Sequence, residues 1–303
     1  MTTKAVTPAA AGAKDTQKKL AACADSLRQL GRVVVAFSAG VDSTFLLSLA
    51  AETLGPANVL AAVGVSPSLP QRELASAREL AGKFGAELIE VPTGEMENPQ
   101  YAANPARRCY FCKHDLFTRL LALAKTRGYR AVISGANADD TGDFRPGLSA
   151  GAELGVRNPL LEAGLTKAEI RALSRQRGLP TWDKPAMACL ASRVPYDSPI
   201  TPARLGRIEQ AENILRDLGF GQVRVRDHGT IARIEVPLAD LERLMASREQ
   251  IVRQLKAAGY VYVAADLAGL RSGSGNEMLG LPPAQTGLPP ARPATDDPSR
   301  NSA

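Results

Sequence analysis

VVVAFSAGVDST, residues 33–44, reads as a buried strand that passes through a tight turn into a helix. RVVVAF (32–37) is a continuous apolar, β-branched run, the pattern of a parallel strand covered on both faces. Ser38, Ala39, Gly40, Val41, Asp42 and Ser43 then occupy the turn. Small residues there let the backbone fold tightly and approach an anion closely. The N-terminus of the following helix offers N–H groups to phosphate oxygens, and Ser38 and Ser43 add hydroxyl donors. Asp42 disfavours bare phosphate and so points to Mg²⁺. No Gly-Lys-Ser/Thr follows, which excludes a Walker A loop, and GxGxxG is missing too. The plainer reading of the same residues is an ordinary βα turn with a Ser or Asp cap.

Outward from this stretch, strands and helices alternate. A helix is expected over about 42–53, a strand over 58–65, a helix over 71–85 and a third strand at AELIEVP. A helix over 113–128, a fourth strand over 129–136 and a helix over 165–178 follow, the last opened by a Thr166/Glu169 capping box. That order predicts an α/β domain on a parallel sheet. After about residue 200 the order becomes αββαβ. Thr201-Pro202 starts a helix to about Leu218, strands lie at 222–228 and 231–237, a helix at 238–258 and a last strand at 260–264. The expected organisation is a tail over 1–16, an α/β domain over 17–195, a small α+β domain over 196–268 and a Gly/Pro-rich tail over 269–303, both tails unstructured.

The length of 303 residues suits two domains, and 45% apolar content supplies a sizeable core. No apolar run reaches the roughly 18 residues of a membrane span, and the N-terminus lacks a signal-peptide apolar region, so a cytoplasmic protein is expected. The net charge of +6 is unevenly spread: residues 1–19 carry +3, residues 271–303 carry none, and 20–270 keep only +3. That is too mild to argue for nucleic acid and is compatible with a small anionic substrate.

Four cysteines make no disulfide framework. RRCYFCKHDLF places Cys109 and Cys112 in a C-x-x-C just before a helix, and KPAMACLASRVPY places Cys189 in a small-residue loop with Arg193 nearby. A lone C-x-x-C reads as half a zinc site, a redox pair or two cluster ligands. No second C-x-x-C exists, and His114 is too close for a zinc-finger spacing. Three cysteines could instead bind three irons of a [4Fe–4S] cluster and leave the fourth open; buried apolar thiols are the bland alternative. Cys23, among Ala and Leu in a helix before the first strand, reads as a core residue.

The turn resembles that of the PP-loop ATP pyrophosphatase superfamily, usually SGGxDS, with Ala39 at its second position. SAGVDS, NPARRCYFCK, SGANADDTGDFRPG, PAMACLASRVPY and VRVRDHG together resemble the LarE family, in order, from about residue 20 to 266. The resemblance implies an adenine nucleotide alpha hydrolase-like domain and a homo-oligomer whose small domain serves substrate or assembly. It implies an ATP- and Mg²⁺-dependent sulfur transferase that adenylylates a carboxylate on a pyridinium dicarboxylate mononucleotide. A cysteine matching Cys189 then displaces AMP, leaving a thiocarboxylate on the substrate and dehydroalanine in the protein. A subset with two further cysteines is closer to this chain. In it Cys109, Cys112 and Cys189 would hold a [4Fe–4S] cluster whose open iron carries sulfide, from a donor that the residues do not name.

Supporting groups fall around these motifs. Asn137, Asp139 and Asp140 follow the fourth strand, at the carboxyl edge where ligands of parallel sheets bind, as Mg²⁺ or ribose contacts or as loop caps. Arg145 lies beyond them in DFRPG. Arg193 could grip a carboxylate or phosphate bidentately. Arg224 and Arg226 share one strand face, either solvated or, as the resemblance implies, on substrate phosphate. Glu212 reads as a helix-surface residue, Trp182 as packing beside the Cys189 loop and His228 as a turn residue. Three other functions compete: a PP-loop tRNA thiolase, which needs a basic RNA surface, an ammonia-dependent amidating synthetase, which needs no cysteines, and a nucleotide- or cluster-binding sensor with no turnover.

Overall fold

The computed structural model describes residues 8–142, 146–271 and 273–280. The first domain opens with helix α1 (Pro8–Leu30), then β1 (Val33–Ala36), α2 (Val41–Leu54), β2 (Val59–Val65), α3 (Gln71–Lys83) and β3 (Glu87–Pro92). A short α4 (Pro99–Ala102) precedes α5 (Arg108–Arg127) and β4 (Ala131–Ser134). Then come α6 (Pro146–Glu153), α7 (Pro159–Glu162) and α8 (Lys167–Gln176). The strands form one parallel sheet in the order β3-β2-β1-β4, with Val33 level with Val59 on one side and Ala131 on the other. β1 is buried throughout because it is central. Val33 and Val35 face a core shared with Cys23, Leu27, Phe45 and Leu47, whereas Val34 and Ala36 face Phe117, Leu120 and Ala124. Alternate side chains on opposite faces of one strand thus fasten helices to both sides of the sheet.

The chain runs outward from β1 to β2 to β3 and then returns to the other side of β1 for β4. The order therefore reverses between β1 and β4, and such a reversal opens a crevice beyond the carboxyl ends of the two strands. The turn 37–40 leaves β1 there, and residues 135–142 leave β4 there.

The second domain packs α9 (Pro202–Asp217) on a three-stranded sheet of β5 (Arg224–His228), β6 (Ile231–Glu235) and β7 (Tyr262–Ala265). α10 (Leu241–Ala246) and α11 (Arg248–Ala257) lie between β6 and β7. β5 and β6 are antiparallel, β6 and β7 parallel. Leu215, Phe220, Val225, Ile234 and Leu255 form its core. Both expected capping signals are present: Thr166 and Glu169 close a reciprocal box, and the Thr201 hydroxyl accepts from Arg204 N. No helix among the described residues is long and apolar enough to cross a membrane.

Several expected boundaries differ. Residues 8–16 are helical rather than an unstructured tail. Their alanines favour helix, and Thr16 and Lys19 tie the helix to Glu169. Residues 1–7 and 281–303 lie outside the described residues. α5 begins at Arg108, five residues early, so Cys109 and Cys112 lie within its first turns. The helix expected over 238–258 is interrupted at Ser247. Residues 269–271 and 273–279 join the second domain, with Leu270 N on the Val236 carbonyl and Ser274 buried against Glu235.

Asp227, fully buried on β5, accepts from Arg204, Arg207, the Tyr260 hydroxyl and Gly229 N. Burial would raise its carboxyl, but the hydrogen bonds from Arg207 and Arg204 outweigh that and hold it below the usual range. A depressed folded value stabilises above the unfolded value and is lost as pH falls through the folded one. Asp227→Asn should therefore cost about 1.5–3 kcal/mol at pH 7. In denaturant titrations the gap to wild type should narrow as pH drops below about 4; a pH-independent gap would contradict this ionic role.

Candidate active site

The crevice between β1 and β4 is built first from backbone. Gly40, extended at φ −82° and ψ 171°, caps α2 without any side-chain cap. No side chain at the cap position thus competes for the first-turn N–H groups of α2 at the crevice mouth. Ser38 and Ser43 close the turn, with their hydroxyls 3.1 Å apart and Ser38 N donating to Ser43 Oγ at 3.3 Å. Gly135, just past β4, allows this approach: a Cβ there would lie 2.9 Å from Ser43 N and 3.1 Å from the Asp42 carbonyl carbon. Ala39 is fully buried with φ +54°, in the left-handed region. The superfamily's usual glycine would sit there without strain, whereas alanine costs about 1–2 kcal/mol.

Acidic groups line the same mouth. Asp42 pairs with Lys167 Nζ, while its Oδ1 is buried with no hydrogen-bond partner. Burial raises its carboxyl, the nearby Asp140 charge adds to this, and Lys167 opposes it. Asp140 Oδ2 accepts from Asn137 N at 3.0 Å, Asn137 Oδ1 accepts from Asp139 N, and Asp139 Oδ2 accepts from Lys167 N at 2.8 Å. One network thus joins the loop after β4, the start of α8 and Asp42. An unpartnered carboxylate oxygen beside a second carboxylate is what a divalent cation relieves. Mg²⁺ at phosphates takes only one or two protein carboxylates, so these residues fit it.

Lys184 was not singled out in the sequence, yet it reaches this turn. Its Nζ donates to the Ala39 carbonyl at 3.1 Å and to Glu73 Oε2 at 2.7 Å. It begins the KPAMAC segment that ends at Cys189.

The three expected cysteine ligands share a neighbourhood. Burial and then the Glu95 charge push the Cys112 thiol up, and Cys189 and Cys109 both act on it as well. Tyr196 feels Cys109 and Cys189 together. Cys109 and Cys189 are exposed, and no disulfide forms among the described residues. Still, no three His, Cys, Asp or Glu side chains among those residues converge tightly enough to hold a metal as they stand. The thiols are neighbours rather than a finished cage. Glu95, absent from the sequence reading, is buried beside them, with Oε1 on Ser66 and Oε2 unpartnered. Glu95 and Lys113 act on the Cys112 thiol in opposite directions, and thiolate softness is what suits these cysteines to iron. Cys23 lies in the core, as its neighbours indicate.

The arginines divide. Arg193 is 1% exposed and bidentate on Glu212, which is 0% exposed; its Nη1 holds the carbonyls of Ala188 and Cys189 and Ser192 Oγ. It is committed to shaping the Cys189 loop rather than open for gripping a substrate. Glu212 is not on the surface. The spacing Leu205, Ile208, Glu212, Leu215 puts it on the apolar face of α9, the signal that locates it. Arg226 is likewise buried, bidentate on Glu235 with Nη1 on the Ser192 carbonyl. Arg224 alone of the three touches no carboxylate among the described residues; its Nη1 reaches the Arg271 carbonyl. Burial and then Arg193 and Arg226 push its guanidinium down to about 10, so an incoming anion would relieve it. Trp182 stacks with Arg175 on α8, its carbonyl held by Arg171 together with that of Lys184, and His228 ends β5 before the Gly229 turn. Arg145 lies outside the described residues.

No protein-family model matches the chain, but known proteins do. A pyridinium-3,5-bisthiocarboxylic acid mononucleotide synthase from Lactiplantibacillus plantarum is 38% identical over 261 residues, 86% of this chain and 95% of that protein. An uncharacterized protein from Synechocystis is 44% identical over 84% of this chain and 97% of its own length. One from Methanocaldococcus jannaschii is 28% identical over 80% and 91%.

The strain at Ala39 yields a test. Replacing alanine by glycine ordinarily destabilises by about 0.4–1 kcal/mol through the unfolded chain. At this position relief of left-handed strain should offset that, making Ala39→Gly neutral or up to about 1 kcal/mol more stable in denaturant unfolding. A clear loss would show that residue 39 is not held left-handed.

Proposed function

Because the chain belongs to the LarE family, we propose that it is an ATP-dependent sulfur transferase acting on a pyridinium dicarboxylate mononucleotide. It activates a ring carboxylate by adenylylation, releases pyrophosphate, and exchanges AMP for sulfur to leave a thiocarboxylate. The observation that carries this reading is the pairing of two loops. The nucleotide turn of β1 is bonded by Lys184, the first residue of the segment that ends at Cys189, which supports activation and sulfur transfer being served from neighbouring loops. We place this enzyme in the cytoplasm, as a homo-oligomer.

Ser38, Ala39, Gly40, Val41 and Ser43 present N–H groups and hydroxyls to the ATP phosphates. Asp42, with Asp140, takes the Mg²⁺ that neutralises them, and Asn137 fixes the Asp140 loop. Arg224 receives the substrate's own phosphate. Arg226, held on Glu235, sets the strand from which Arg224 projects, and Arg193 fixes the carbonyl of Cys189. Cys109, Cys112 and Cys189 would hold a [4Fe–4S] cluster, which when bound supplies an iron without a protein ligand for exogenous sulfide. A second reading is favoured by the thiols not being caged: an exposed Cys189 gives up its own sulfur and becomes dehydroalanine. The weak positive charge of residues 20–270 argues against a tRNA thiolase, and the three gathered cysteines against an amidating synthetase.

Protein purified without oxygen should contain about four irons and four sulfides per chain. With ATP, Mg²⁺, sulfide and the carboxylated mononucleotide it should turn over repeatedly, with Cys189 of unchanged mass. Loss of the elements of H₂S at Cys189, once per product, would establish the sacrificial reading instead.

Asp42→Asn should keep ATP binding within a few-fold but lower AMP formation roughly 100-fold or more, as expected for a contact made mainly in the transition state. Unchanged AMP formation would remove Asp42 from the site.

A further inference from the structure

Building on residues 38–43 as a nucleotide turn, we propose that Lys184 is an ATP phosphate-binding residue held on Glu73 until nucleotide arrives, and that its move to the phosphates tightens the segment leading to Cys189. The ammonium already touches the turn, donating to the carbonyl of Ala39, the second residue of the SAGVDS motif. Its charge is met by Glu73 in the first turn of α3. Both side chains are mostly sheltered, at 20% and 14% exposed.

The charge balance of the crevice favours such a transfer. Asp42 and Asp140 stand at its mouth, and ATP brings several more negative charges. Lys167 is already bound to Asp42. Lys184 is the other lysine touching the turn among the described residues, and a phosphate oxygen is a stronger partner for an ammonium than a peptide carbonyl.

Its backbone is pinned, while its tip rests on two partners that a phosphate can replace, the Ala39 carbonyl and Glu73. Lys184 N donates to the Thr181 carbonyl at 3.0 Å, and Arg171 donates to the carbonyls of Trp182 and Lys184. Downstream, Arg193 grips the carbonyls of Ala188 and Cys189. Residues 185–187 are therefore suspended between the two anchors, and Met187 is exposed. Five residues from Lys184 to Cys189 span at most about 18 Å, so ordering the Lys184 side chain on a phosphate would restrain the short run between the anchors.

The test is equilibrium binding of ATP and of adenosine to the full chain and its variants. Lys184→Met should weaken ATP by roughly 10- to 150-fold, the loss of a hydrogen bond to a charged group, with adenosine unchanged; Lys184→Arg should recover most of it. Glu73→Gln should tighten ATP by roughly 2- to 5-fold, the range of a partly exposed ion pair, and only while Lys184 is present. Hydrogen exchange over 185–188 should slow with ATP in wild type but not in Lys184→Met. Unchanged ATP affinity in Lys184→Met, equal losses for ATP and adenosine, or the same Glu73→Gln effect without Lys184 would each overturn the proposal alone. Failure of wild type to bind ATP would sink the nucleotide-turn reading with it.

Discussion

A guanidinium and a carboxylate, both out of reach of water, hold the two halves of the site together. Arg193 belongs to the loop of Cys189, and Glu212 to α9 of the second domain. Glu212 also receives Arg216 and the backbone of Val225 on β5. Burial alone would raise the Glu212 carboxyl, but Arg193 and Arg216 bring it below the usual range. Such a pair adds little net stability over an apolar replacement. Removing one partner, however, strands a charge in the interior at about 3–5 kcal/mol. Its consequence is geometric: the cysteine loop, the strand of Arg224 and Arg226, and the helix beneath them keep one relative placement.

The parallel sheet contributes the other fixed element. Because β4 returns to the far side of β1, the turn after β1 and the loop after β4 open into one crevice. Gly135 lets the start of α2 close against β4. The result is a row of backbone donors with two carboxylates at its edge, the donor and acceptor pattern that a Mg²⁺ triphosphate requires. The KPAMAC segment then leads from that crevice to the cysteines, which suits a reaction whose activated intermediate must meet sulfur before water.

How much of this was legible follows from the range of each signal. The β1 run, the Thr166/Glu169 box and the Thr201-Pro202 start are local patterns, and each matches an element. The PP-loop and the three cysteines stood out as motifs, but the described side chains do not converge into a metal-holding group as they stand. Pairings between distant residues were not legible. Lys184 with Glu73 and Lys167 with Asp42 depend on how the elements pack, and nothing in the neighbouring sequence marks them. The left-handed backbone at Ala39 was hidden because alanine rarely adopts it. Early helix at 8–16 was missed because its support, Glu169, lies on another helix.

The central claim is that one crevice first makes an acyl adenylate and only then admits sulfur. Exchange of labelled pyrophosphate into ATP reads the first half without the second. Exchange should require Mg²⁺ and the carboxylated pyridinium mononucleotide, need no sulfide, and persist in Cys189→Ser. Exchange without the carboxylate substrate, or its loss in Cys189→Ser with ATP still bound, would contradict the account.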